Sequence, residues 1–137
     1  MDEHGPVQDD EFVYRRIHRN FYDASVPTLV RREAFRPSRN DDTGLSVFRA
    51  AFVQPVDTLA NIDATKRNDY YVARIAVQDL HRRGLTVVPE PDPAGPPGHA
   101  VIPELSWKAY HADKQRLKQV QFELAKLASA AIVHQAS

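Results

Sequence analysis

The chain has 137 residues, 42% of them hydrophobic and 26% charged, which supplies enough apolar material for one globular domain and too much for disorder throughout. It contains no cysteine, which excludes disulfides, thiolate zinc sites and cysteine nucleophiles and points to a cytoplasmic protein. Eighteen Lys and Arg balance eighteen Asp and Glu, so the large basic excess of a dedicated nucleic-acid binder is missing, and nucleic acid stays open as a partner without being favoured.

Residues 1–10, MDEHGPVQDD, hold four acids and no Lys or Arg. They lack apolar periodicity and predict a flexible acidic arm ahead of a single domain spanning 11–137. From 11 to 83 the balance reverses to thirteen Lys and Arg against nine Asp and Glu, and twelve of the thirteen are Arg, whose planar fork suits bidentate carboxylate or phosphate contacts. EFVYRRIH alternates, with Phe12, Tyr14 and Arg16 on one face and Val13, Arg15 and Ile17 on the other, and predicts a strand. TLVRREAFRP predicts a second strand ended by Pro37. The cluster Asn40, Asp41, Asp42 and Gly44 predicts a reversal into a third, through GLSVF.

QPVDTLANID places Pro55 at a first helical position and predicts a short helix. DYYVARIAV is rich in β-branched and aromatic residues and predicts a strand at the sheet centre. VQDLHRRG predicts two helical turns stopped by Gly84. LTVVPE and HAVIPEL predict the last two strands, and the proline-rich stretch between them an exposed loop. From Ser106, a sound N-cap, the chain runs without Gly or Pro to its end and predicts one long helix over about 106–135. The fold class expected is α+β: a small, partly antiparallel sheet with short helices and one long C-terminal helix. No apolar run approaches a membrane span and no basic leader precedes one, so no membrane association is expected.

On that last helix Tyr110, Leu117, Val120, Leu124 and Leu127 recur in alternating three- and four-residue steps, while Trp107, Phe122 and Ile132 widen the apolar arc beyond one sheet contact. Left in water, such side chains would forfeit several kcal/mol at about 25 cal/mol per Å². The expectation is a non-enzymatic interaction protein or accessory subunit that docks on another protein chain, or on a second copy of itself, through these residues and an Arg-rich face. The alternative is a small metal-independent RNase, phosphodiesterase or toxin-like transferase. In that reading His18 and His99 act as acid and base, Arg15 or Arg16 carries the phosphorane charge, and Ser46 stands nearby. The six histidines show no HxxxH or HExxH spacing, and the chain has no Gly-rich phosphate loop and no GxSxG elbow, so no metal and no cofactor is expected.

The islands YRRIH, AFRP, LSV and HAVI, in this order and followed by the final helix, resemble a loose group of small, mostly uncharacterised bacterial proteins over roughly residues 12–135. The resemblance implies a bacterial origin and a standalone small domain working beside a larger gene product. It carries no activity.

Overall fold

The computed structural model describes residues 2–23, 25 and 29–137. Among them six strands form one antiparallel sheet: β1 Phe12–His18, β2 Leu45–Arg49, β3 Tyr70–Ala76, β4 Val88–Pro89, β5 His99–Ile102 and β6 Ile132–His134, in the spatial order β4-β5-β2-β1-β3-β6. The α-helices are α1 Val77–His81, α2 Trp107–Ala112 and α3 Lys114–Ser129. The expected α+β class holds, with the sheet wholly antiparallel in every pairing.

Strand alternation sorts the side chains. Val13 and Ile17 of β1, Leu45 and Val47 of β2, Ala73 and Ile75 of β3 and Ala100 and Ile102 of β5 are buried in one core with Leu117, Val120, Leu124 and Ala128 of α3 and Val77 and Leu80 of α1. The opposite face buries a smaller cluster, Tyr14, Phe48 and Val72 against Val53 and Leu59, which come from the segment between β2 and β3. β1 pairs with β3 along its whole length, from Phe12↔Ala76 to His18↔Tyr70, but with β2 only at Val13↔Arg49 and Tyr14↔Phe48. Beyond Tyr14 the two central strands therefore part. Gly44 enters β2 so close to β5 that a Cβ there would lie 2.6 Å from the Ile102 carbonyl oxygen.

Several expectations are corrected. Thr28 lies outside the described residues, and the described part of TLVRREAFRP is no strand: Arg32–Phe35 form a 3₁₀ turn that buries Ala34 and Phe35, and among the described residues only Val30 bridges to Tyr22, because Ala and Phe in that turn fill the space at the edge of α3. Val56–Leu59 is likewise a 3₁₀ turn, with Pro55 preceding it as its cap. The strand DYYVARIAV lies next to the edge strand β6, and β1 and β2 hold the centre. The terminal segment is not one helix. It breaks at Asp113 (φ −142°, ψ 46°), which stands in the apolar seam between Tyr110 and Leu117 and leaves helical geometry with its carboxylate paired to Arg116 at the surface. After Ser129 the β-branched Ile132 and Val133 return as β6 along the otherwise open edge of β3.

The acidic arm is not detached. Arg49 is 1% exposed, and its guanidinium gathers the Glu3, Gly5 and Pro6 carbonyl oxygens together with both carboxylate oxygens of Glu11. A buried guanidinium needs those partners, and the arm supplies them.

Candidate active site

On β2 and β5 the register sets Ser46 opposite Val101 and Phe48 opposite His99, so Ser46 and His99 are diagonal neighbours on the face away from the helices. Their side chains meet: His99 Nε2 lies 3.1 Å from Ser46 Oγ. The other ring nitrogen, Nδ1, lies 2.7 Å from the Glu90 carbonyl oxygen. A carbonyl only accepts, so Nδ1 carries the proton, and in the neutral ring Nε2 must be the acceptor of the serine O–H. The main chain thus fixes the tautomer that a general base requires. Glu90 Oε1 stands 3.9 Å from Nδ1. The Phe48 ring meets the imidazole edge-on at 5.5 Å, and the His99 side chain is 17% exposed.

The pair opens into a cleft of about 170 Å³ walled by Arg16, Asn61, Asp92, Gly95 and Pro96. The proline-rich loop is therefore one wall of a site, with Pro96 buried. Arg16 Nη1 donates to Asn61 Oδ1 at 2.8 Å and to the Thr58 carbonyl at 3.2 Å. Its guanidinium lies 5.0 Å over the Phe48 ring, leaving Nε and Nη2 without protein acceptors among the described residues. Burial lowers the Arg16 pKa, against the opposing effect of Tyr70.

Arg15 leaves β1 on the helix side and fills the opening between β1 and β2. Nη1 donates to the Ser46 carbonyl at 2.8 Å, and Nε and Nη2 both donate to the Ala34 carbonyl, at 3.1 and 2.8 Å. Burial brings its pKa down to about 10; Asp41 pulls it back up and neighbouring Arg16 pushes it further down. Arg15 thus also holds the backbone beneath the serine.

His18 is not part of this constellation. Its Nδ1 accepts from the Asn20 N–H at 3.1 Å and its ring stands edge-on to Tyr70 at 5.2 Å, lining a separate cleft. In the register Tyr14↔Phe48↔His99, His18 is four residues along and two strands across from His99, a Cα separation of about 16 Å from standard strand spacings. The two-histidine relay on one phosphate is therefore corrected to a single-histidine site. Asn61 and the Glu90 carbonyl carry no sequence signal: one sits in an irregular segment, and the other acts through its main chain.

The docking residues are largely spent on the chain's own core. Tyr110 (1% exposed), Leu117 (1%), Val120 (7%) and Leu124 (0%) are buried under the sheet, and Leu127 and Ile132 pack half-buried against the same cluster. Trp107 is half-buried and lies against His111. Phe122 alone among the eight is exposed, under the ammonium group of Lys126 at 4.9 Å. The expected apolar surplus is thus corrected: α3 contributes most of it to the intramolecular core. Among the described residues no group of three or more His, Asp or Glu is placed to hold a metal ion, and no helix is long and apolar enough to cross a membrane. No family model, no curated protein and no solved structure matches this chain.

Proposed function

We propose that the protein is a small hydrolase of the serine–histidine type, acting on an ester small enough for the cleft over β2 and β5. Ser46 is the nucleophile, His99 the general base and then acid, and Arg16 the group facing the developing negative charge. The observation that supports this most is the relay from Ser46 O–H to His99 Nε2 and from His99 Nδ1–H to the Glu90 carbonyl, an arrangement in which the base is held in its working tautomer.

In the reaction Ser46 Oγ bonds to the acyl carbon as its proton passes to Nε2, and the imidazolium returns that proton to the leaving alkoxide. Water then repeats the sequence, giving its proton to Nε2 and releasing the acid and free Ser46. A free N–H of Arg16 is suited to the tetrahedral oxyanion.

The test is labelling with a fluorophosphonate probe and turnover of a panel of short-chain aryl esters. The expected outcome is one adduct on Ser46 with fluoride as leaving group, and loss of at least about 10³-fold in turnover in both Ser46→Ala and His99→Ala, with thermal unfolding close to wild type. A protein that neither labels nor turns over any ester, or that labels equally after Ser46→Ala, overturns the reading.

A further inference from the structure

On the other side of Arg16, where β1 and β2 part, lies a larger cleft of about 510 Å³ lined by Arg15, Arg16, Arg36, His18, Glu33 and Tyr70 among others. Its cations are the notable feature. Arg49, elsewhere in the fold, is buried with Glu11 at 2.9 Å, and Arg19, Arg31, Arg32, Arg82, Arg83 and Arg116 all reach a carboxylate. Among the described residues no carboxylate lies within 4.0 Å of the Arg15, Arg16 or Arg36 guanidinium; Arg39, Arg67 and Arg74 lack one too, but none of them lines this cleft. Arg15 and Arg16 leave β1 towards opposite faces, yet both line this cleft, half-buried, with their bonds going to neutral carbonyls and one amide.

The two nearby acids are engaged elsewhere. Glu33 is held by Arg31 and Arg32, at 3.3 Å each, and Asp41 accepts from the Ser38 N–H and hydroxyl. Taking cations out of water without counterions is costly, and here the cost falls on an open cleft that still presents free donors. Among the described residues nothing takes the second hydrogen on each Nη of Arg15, Nε and Nη2 of Arg16, or the whole fork of the exposed Arg36. His18 accepts at Nδ1 from Asn20, so its neutral ring carries the hydrogen on Nε2 and adds another donor.

We infer that this cleft is the seat of a phosphate group, and that the occupant is a phosphorylated small molecule held by Arg15, Arg16 and Arg36. Three planar forks lining one cleft match the several equivalent oxygens of a phosphate dianion better than the two of a carboxylate. Because Arg16 lines both clefts and Arg15 bonds the Ser46 carbonyl, the inference rests on the proposed serine hydrolase in one respect only, the assignment of this phosphate to that enzyme's substrate.

The experiment uses the full chain carrying Ser46→Ala, which cannot turn over, and measures binding by calorimetry and thermal shift. The probes are sodium phosphate, phenyl phosphate and a 5′-phosphorylated tetranucleotide, against sodium chloride at matched ionic strength. Expected are saturable binding of phosphate and phenyl phosphate, and at least tenfold weaker binding in the exposed-site variant Arg36→Glu and in Arg16→Gln. Arg39→Glu, an exposed charge change in the same loop outside the cleft, leaves binding as it was. Phosphate indistinguishable from chloride, or binding that survives Arg36→Glu, overturns the inference. A tetranucleotide that binds tenfold or more tighter than phenyl phosphate replaces the small-molecule class by nucleic acid. Phosphate binding in a protein that hydrolyses nothing sinks the hydrolase and leaves the seat standing; ester hydrolysis without phosphate binding does the reverse.

Discussion

Arginines in this protein divide by what they bond. Arg49 is fully buried and meets Glu11 through two nitrogens, at 3.0 and 2.9 Å, whereas among the described residues Arg15 and Arg16 meet only neutral acceptors. Replacing Glu11 by Leu strands the Arg49 charge and is expected to cost about 3–5 kcal/mol, the usual penalty for breaking a buried pair from one side, read from urea unfolding. For the Glu11 carboxyl, burial pushes the pKa up, but the hydrogen bonds from Arg49 and the Gln8 N–H and the Arg49 charge outweigh it, leaving the value below 4.5. Its stabilisation is therefore complete above the unfolded value and drains away as pH falls through the lower folded one. Unfolding curves from pH 6 down to pH 3 are expected to show a shallower acid loss in Glu11→Gln than in wild type. The pairing itself was not legible in the sequence, since Glu11 and Arg49 are far apart along the chain and nothing local joins them.

Among the elements, α3 shows what periodicity reports and what it leaves open. The spacing of Leu117, Val120, Leu124 and Ala128 marks one face for burial, and that face packs on the sheet. Leu124→Ala is expected to cost about 2–5 kcal/mol, as for other fully buried leucines. Leu124→Asp should abolish cooperative unfolding. Phe122→Asp, at an exposed position with the Lys126 ammonium over its ring, should cost no more than about 1 kcal/mol. Strand β2 depends on Gly44 in a different way. The added methyl of Gly44→Ala would meet the backbone of Ile102 at 2.6 Å, and since a strand backbone cannot swing aside, a loss of at least about 2 kcal/mol is expected in thermal unfolding.

Over the whole molecule, the N-terminal arm and the body form one structure. Glu3 Oε1 accepts from the Gly98 N–H at 2.6 Å, which ties the arm to the loop walling the serine–histidine cleft, and Arg49 collects its carbonyls from beneath. Removing residues 2–10 is therefore expected to lower the melting temperature and to increase hydrogen exchange at Gly98, both absent if the arm were loose. The same long-range economy builds the two clefts: β1 parts from β2 after two pairs, Arg15 fills the break, and Arg16 faces both sides.

By itself the sequence determined the local matters: alternation in YRRIH and LSVF, the stop at Gly84, the cap at Ser106, and the residue types from which a serine–histidine site could be drawn. These follow from periods of two and of 3.6 residues and from backbone preferences that act within a turn. Tertiary structure alone decided that His99 meets Ser46 and not His18, that the apolar helix is consumed by its own sheet, and that β6 turns back along β3. Each of those outcomes depends on strand register and order, which arise from contacts between residues distant in the chain and leave no periodic trace in it.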